Sequence, residues 1–579
     1  MLNLLFRYTG KYKKEAIITP FLMLLEVVFD VLIPYVMSKI IDIGIKGSNG
    51  ADINYVIKMG LIMIGLSVMA MICGALAGRT SAIASSGFVQ NIRMAMFTKI
   101  NRYSFANIEK FEVPSLVTRM TKDMRELRMA YVAIVRQFFR APFQLLFCAI
   151  MIYRINHQLS VVFWIAIPLL ALGLFVITYY AHPRFRVLMS KFDEMNSKLE
   201  ENFIAVRVVK TFVRENFEKL KFKLTSENVM KFQRRAENLV LFDMPLFNLI
   251  MYSCMISICW LGGNLIIAQE MTVGEFMSYL SYLKQILFSL MALSNILMQV
   301  LFAQASIDRA NEVLNEVIDI NDDESDPNLE VSNGSIEFKD VSFAYNKNSQ
   351  KMALSGVNLK IASGETVGII GSTGSSKTTL VQLIPRLYDA TQGEVLVGGY
   401  NVKDYSIKHL RKGVAMVLQK NELFTGTIEE NLKWGDMNAT HEEVVEAAKC
   451  AQADDFINSF PEGYNQYLGQ GGVNVSGGQK QRLCIARALL RKPKIIILDD
   501  STSAVDTDTD RRIRQALNEK LADMTTIIIA QRISSVMDAD KIIVMSDGKI
   551  VDVGKHTELM ERNDIYADLY YTQMKGVGE

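Results

Sequence analysis

Paired cysteines and charge imbalance are missing from this chain, and each absence removes a class of protein. Six cysteines occur, Cys73, Cys148, Cys254, Cys259, Cys450 and Cys484, with no CxxC spacing and four of them inside apolar stretches. That pattern suits small buried thiols and argues against a disulfide scaffold or a zinc ribbon. The formal net charge is only +2, from 63 Lys and Arg against 61 Asp and Glu. The basic residues gather in loops between apolar runs, so nothing suggests a nucleic-acid partner, which would need a basic face. No cleavable signal is expected from the first residues of the chain. Its start, MLNLLFRYTGKYKKEA, is short, amphipathic and basic, and reads as an interfacial helix ahead of a first membrane span.

Apolar sequence is what the chain has in excess. Hydrophobic residues make up 50% of its 579 positions and the mean hydropathy is +0.17, more than a soluble enzyme needs. A helical span takes about 20 apolar residues. Met59–Gly78, Leu159–Ala181, Met244–Gln269 and Gln285–Ile307 meet that length without a charge. Ile17–Ser38, carrying Glu26 and Asp30, and Ala130–Tyr153, carrying Arg136 and Arg140, are weaker but count as spans. Without them the basic loops would fall on opposite sides of the bilayer. The two long connections, from Arg79 to Arg128 and from Arg184 to Arg235, are basic and patterned as helices. The positive-inside tendency then puts both of them, and both termini, in the cytoplasm as helical hairpins.

Two features of the spans leave alternatives open. Glu26 and Asp30 lie four apart on one helical face, where they either attract a cationic substrate or proton or bond to neighbouring helices. The 31 methionines suit an adaptable, greasy cavity, or serve as core and lipid-facing filler.

Composition shifts at Ile318–Gly334, an acidic, Pro- and Gly-punctuated linker. The expected division is therefore a transmembrane domain at residues 1–317, a linker at 318–334 and an α/β domain at 335–579, whose β-branched runs IEFKDVSFAY, ETVGIIG, EVLVGG, KIIILDD, TTIIIA and KIIVM alternate with helical segments.

Chemistry concentrates in that last domain. GSTGSSKTT, comprising Gly371, Ser372, Thr373, Gly374, Ser375, Ser376, Lys377, Thr378 and Thr379, comes after the apolar strand Thr366–Ile370 and precedes a helical run. Backbone N–H groups of such a loop wrap a phosphate at a helix N-terminus, Lys377 neutralises phosphate oxygens, and the Thr378 hydroxyl is a magnesium ligand. The pattern asks for Gly before the Lys, where this chain has Ser376. A Cβ there costs about 1 kcal/mol or more if the position needs a positive φ. KIIILDD delivers Asp499 as an outer-shell magnesium ligand and, next to it, Asp500 in the position of the carboxylate that orients the attacking water. In NVSGGQKQRL, Ser476, Gly477, Gly478 and Gln479 open a helix whose N–H groups and positive dipole end can face a γ-phosphate.

VSGGQ ahead of LLRKPKIIILDDSTSAVD closely resembles the signature of ABC ATPases, and the resemblance covers nearly the whole chain. Six spans before a nucleotide domain is similar to the ABC exporter arrangement, while FEVPSLVTRMTKD and ENFIAVRVVKTF look like its two cytoplasmic coupling segments. The resemblance implies further roles. Tyr345 would stack on adenine, Gln419 would join magnesium to the transmembrane contact, SAVD (Ser503–Asp506) would be the D-loop, and Ser476–Gln479 would act on the ATP of an opposite domain. A switch histidine is expected where Gln531 stands. Three departures, Ser376, Asp500 and Gln531, thus fall at one ATP site. They reflect either drift, with Asp500 a working base, or the degenerate subunit of a heterodimeric bacterial multidrug exporter. The latter implies ATP and Mg2+ as cofactors, a second half-transporter with a consensus site as partner, and outward movement of an amphipathic small molecule across the cell membrane. Lipid or peptide cargo, or nucleotide-gated signalling without transport, are the alternatives.

Overall fold

The computed structural model describes residues 7–46, 51–323, 325–346, 351–500, 505–520 and 523–575. Two compact units emerge: Met1–Asn101 with Glu112–Glu316, and Arg102–Phe111 with Val317–Glu579.

Among the described residues of the first unit, six helices are long and apolar enough to cross a membrane: Arg7–Ile45, Ile53–Ile100, Val113–Ile155, His157–Ile204, Glu215–Ile267 and Val273–Asn315. Their lengths, 39 to 53 residues, far exceed one bilayer crossing, so the helices do run on past the apolar stretches. The N-terminal reading is only partly visible, since residues 1–6 lie outside the described residues. Gly10, at φ +54, breaks the backbone just before the long helix that starts at Lys13.

The two weaker spans hold each other's charges. Arg140 of the third lies 3.2 Å from both the Glu26 and the Asp30 carboxylates of the first. Charges in an apolar layer persist when paired in this way. Gly74 makes room for the arrangement, because a Cβ there would sit 3.0 Å from Glu26 Oε2. The first and last spans are tied at several levels. Ser278 Oγ donates to Pro34 O (2.5 Å), Tyr282 Oη donates to Val31 O (2.8 Å), and Asp42 accepts from Thr272 Oγ1 (2.6 Å) and from Gly274 N (2.7 Å).

The segment FEVPSLVTRMTKD falls mostly on the helix Val113–Val132. Its fully buried Asp123 takes a two-pronged hydrogen bond from Arg309 (2.7 and 2.5 Å) and a third from Ser306 Oγ (3.0 Å), while Arg119 reaches Glu312 at 2.7 Å. Those charges therefore fasten the third helix to the sixth. Arg102–Phe111, whose last residue opens that segment, belong to the nucleotide unit. Asn107 Nδ2 donates to Val317 O (3.1 Å), the Phe105 ring lies 6.1 Å from that of Tyr388, and Tyr388 Oη donates to Glu109 Oε1 (2.8 Å). ENFIAVRVVKTF ends the helix at Ile204 and continues as the short helix Val206–Thr211. Phe203, Ile204, Phe212 and Val213 stand 70 to 79% exposed at this tip.

In the second unit a six-stranded sheet runs in the order Lys549–Gly554, Lys541–Ser546, Thr366–Gly371, Thr525–Ile529, Ile495–Asp499, Val414–Val417. All neighbours are parallel except the first pair. The central strands Ile495–Asp499 and Thr525–Ile529 are buried throughout, as both-sided coverage by helices requires. A second, antiparallel sheet orders Leu354–Ile361, Ile336–Phe343, Gln392–Val397, Tyr400–Asn401. The fold class expected from the sequence, a six-span helical domain followed by an α/β domain, is the one observed.

Removing the Asp123 carboxylate leaves Arg309 without its partner in the junction of third and sixth helices. Asp123→Ala is expected to cost about 2 kcal/mol, below the full penalty of a fully buried pair because Arg309 is partly exposed. The thermal midpoint of the detergent-solubilised chain should fall by several degrees, and Glu312→Ala, which loses a half-exposed partner, should fall less.

Candidate functional site

Strand order builds the site. Thr525–Ile529 lies between Thr366–Gly371 and Ile495–Asp499, with Ile529 level with both Ile369 and Asp499. The three chains therefore leave the sheet side by side at its carboxyl edge, where ligands of open α/β sheets bind. Strand Thr366–Gly371 runs into the Gly371–Thr379 loop, Thr525–Ile529 leads to Gln531, and Ile495–Asp499 leads to Asp500. Asp500 N donates to Ile529 O (3.0 Å) and Ala530 N donates to Ile369 O (3.3 Å), extending the alignment past the strands.

A cavity of about 560 Å³ opens there. Of the residues singled out in the sequence, Gly371, Ser372, Thr373, Gly374, Ser376, Lys377, Thr378, Thr379, Gln419, Asp499, Asp500 and Gln531 line it. Ser375 lies beneath, buried, with Oγ 3.3 Å from Lys377 Nζ. Tyr345 is outside that lining but next to it, its hydroxyl 2.8 Å from Oγ1 of the lining Thr379. Its ring is held edge-on by Phe343 (4.9 Å) and Tyr388 (5.3 Å) and remains 50% exposed, leaving apolar surface for a planar base. Ser476, Gly477, Gly478 and Gln479 do not line this cavity. Ser476 instead caps the helix Gly477–Leu490 in a reciprocal box, its Oγ taking Gln479 N (3.3 Å) while Gln479 Oε1 takes Ser476 N (2.8 Å). Of SAVD, Ser503 and Ala504 lie outside the described residues.

The cavity suits a phosphate chain. Gly371 admits no side chain, since a Cβ would meet Met545 O at 2.2 Å. At Gly374, φ +88, a Cβ would meet nothing within 4 Å, so the loop there presents bare backbone to the open space. Lys377 Nζ donates to Gly371 O and Ser372 O at 2.9 Å each. Burial pushes its ammonium below the ordinary lysine range, against the pull of Asp499 and Asp500, the condition of a cation suited to an anionic ligand. Thr378 Oγ1 donates to Asp499 Oδ1 at 3.0 Å, which pairs two hard oxygen donors of the kind magnesium takes. Burial raises Asp499 above the usual carboxylate value, partly offset by the Thr378 hydrogen bond.

Two of the departures now have a geometry. Ser376 sits at φ +68, ψ 26, a left-handed conformation that glycine adopts without cost and serine does not. Asp500, itself at φ +49, turns Oδ2 toward Gln531 Nε2 (2.8 Å) and, more loosely, Gln419 Nε2 (3.5 Å). Burial pushes its carboxyl up, and those two amides work in the opposite direction.

The C-terminal helix Asp564–Lys575 adds residues that no motif announces. Leu569 lines the cavity, while Gln573 bridges the turn behind Gln531, donating to Gln531 O and accepting from Ile533 N at 2.8 Å each.

The family model for the ABC transporter transmembrane region matches residues 16–291, and the model described as ABC transporter matches residues 354–503. The chain is 35% identical to the ABC transporter ATP-binding protein YfiB of Bacillus subtilis (strain 168) over 562 residues, 97% of each chain. This protein belongs to the ABC transporters. It is a half-transporter: one membrane-spanning unit fused to one ATP-binding, ATP-hydrolysing unit. It is also 32% identical over 489 residues, 84% of each chain, to an ATP-dependent lipid A-core flippase of Desulfotalea psychrophila. To the putative multidrug export protein YgaD of Bacillus subtilis (strain 168) it is 29% identical over 574 residues, 98% of each. A bacterial Atm1-family ABC exporter solved with ATP bound shares the fold at a TM-score of 0.84 and 21% identity, over 97% of this chain and 99% of the other.

The left-handed turn at residue 376 sets a test by substitution. Ser376→Val, β-branched, should lower the unfolding midpoint of the full chain, a loss of about 1–2 kcal/mol. Ser376→Gly should leave it unchanged or raised. If valine were tolerated as well as glycine, the positive φ would not constrain the loop.

Proposed function

We propose that this chain is the degenerate half of a heterodimeric ABC exporter in a bacterial cell membrane, with its termini and ATPase unit in the cytoplasm, moving amphipathic compounds outward. The observation that carries this reading is the bond from Gln531 Nε2 to Asp500 Oδ2 at 2.8 Å. Hydrolysis needs a carboxylate that orients and polarises water and a second group poised on the γ-phosphate. Here the carboxylate is one methylene shorter than Glu and is occupied by a neutral amide, which cannot exchange a proton as imidazole does.

ATP binding draws on groups that remain. Tyr345 offers a ring face to adenine, the Gly371–Thr379 loop and Lys377 hold the phosphates, and Thr378, Gln419 and Asp499 are the residues to hold Mg2+, whose charge would offset that of the phosphates. Ser476, Gly477, Gly478 and Gln479, away from this cavity at a well-capped helix start, serve the partner's nucleotide. The apolar tip formed by Phe203, Ile204, Phe212 and Val213 supports obligate pairing, because exposed patches of that kind mark protein contacts. Closure of two nucleotide units around two ATP molecules drives the outward opening, and hydrolysis at the partner's consensus site resets it. The name of the 32% identical flippase favours, as a second reading, a lipid as cargo.

Substitutions separate an asymmetric from a symmetric machine. Asp500→Asn should change turnover of the assembled complex by less than about threefold, against the roughly 10² to 10⁴-fold loss that comes with removal of a working base. Ser476→Tyr, which blocks approach to the partner's γ-phosphate, should abolish it. Equal damage from both would make Asp500 a working base and end the degenerate-site reading.

A further inference from the structure

The first unit contains a cavity of about 880 Å³ between the first, third and sixth helices. Its lining is unlike that of a greasy drug pocket. Five carboxamides face it, Gln137, Gln144, Gln285, Asn295 and Gln299, and Phe288 is the only aromatic in the lining. No methionine lines it, although the chain has 31. Polar side chains in apolar spans do not face lipid, so these turn inward to a hydrated path. Gln144 Nε2 donates to Gln285 Oε1 at 2.8 Å, which fixes one wall and leaves the remaining amide valences for a solute.

Charge decides the class of solute. Asp30 is the one carboxylate in the lining, and Arg140 spans it and Glu26 at 3.2 Å each. The acidic pair, Glu26 and Asp30, is therefore already engaged and not free to draw a cation, with Arg136 within electrostatic reach of Glu26 as well. Glu26 and Asp30 against Arg136, Arg140 and Lys284 leave one positive charge in excess. Among the described residues Lys284 makes no ion pair, and it stands exposed in the lining. Its position opposite the third span completes a surface that is cationic and rich in hydrogen-bonding groups.

We infer that this cavity holds an anion subsite, in which Lys284 takes a carboxylate or phosphate group of the transported molecule while the carboxamides bind its polar body. The inference rests on the exporter reading and names its substrate class: an anionic, hydrogen-bonding solute or headgroup, not a cationic lipophile. Lys284 is the specificity-determining residue, because a cation without an ion-pair partner, in a cavity whose one lining carboxylate is already paired with Arg140, attracts an anion and repels like charge.

The test uses the complex as it purifies with its partner, in nanodiscs of neutral lipid, with three fluorescent probes: carboxyfluorescein as a free polyanion, a labelled phosphatidic acid as a lipid-borne phosphate, and ethidium as a cation. At least one anionic probe should bind more tightly than ethidium, and which one does so tells whether the anion is free or lipid-borne. Lys284→Gln should weaken that binding about tenfold or more, Lys284→Arg should keep it within about threefold, and Lys284→Glu should reverse the preference toward ethidium. Tighter ethidium binding by the unaltered complex, no binding of either anion, or anion binding indifferent to Lys284→Gln would overturn the inference. ATP-driven probe movement in inside-out vesicles reports separately on the exporter reading. Lys284-dependent binding without such movement would sink that reading and spare the subsite, whereas pumping of ethidium alone would do the reverse.

Discussion

The parallel register that sets Thr525–Ile529 between Thr366–Gly371 and Ile495–Asp499 governs the chemistry of the nucleotide unit. Three chains must leave the sheet at one level, so the first residues after each strand become neighbours of those after the other two. The strands themselves are apolar and interchangeable in kind. Their successors are not, and here those successors are a left-handed serine loop, a glutamine and an aspartate. The bond between Gln531 and Asp500 results from that register without any need for ligand. The same adjacency that would assemble an efficient hydrolytic site from Glu and His assembles, from Asp and Gln, the site proposed to hold ATP and cleave it slowly.

A comparable constraint orders the membrane unit. Charge inside an apolar layer must find its opposite, and Arg140 finds two carboxylates on the first span. Because the third and first helices are joined there, and the first is joined to the sixth through Ser278, Tyr282 and Asp42, the walls of the polar cavity are held by specific bonds and not by apolar contact alone. At the far end of the third helix, Asp123 and Arg309 repeat the device. The helices that carry the cavity are thereby braced at several levels, as rigid levers must be if closure of the ATPase units is to move them.

Much of this was legible in the sequence because the informative patterns are local. Six spans, long helical extensions and a strand followed by a glycine-rich loop are each written within one or two dozen residues. The strain at Ser376 was readable from the motif's demand for glycine, and its φ of +68 gives that demand a geometric cause. Pairings between distant segments were not legible. Sequence alone left Glu26 and Asp30 between substrate attraction and structural bonding, and their partner stands 110 positions beyond Asp30. Nothing local marks Gln573 as the clamp on the turn after Gln531, nor groups Arg102–Phe111 with the nucleotide unit. The methionine count left a soft cavity and plain filler both open, and no methionine lines the cavity between the first, third and sixth helices, because which face of a helix turns inward is decided by its neighbours.

The asymmetric assignment of the two nucleotide sites is tested most directly by tracking labelled ATP through a single turnover of the assembled complex and photo-crosslinking it to whichever chain's P-loop holds it. The account predicts that label on this chain remains triphosphate after the partner's site has converted its own to diphosphate. Diphosphate appearing on both chains at the same rate would contradict it.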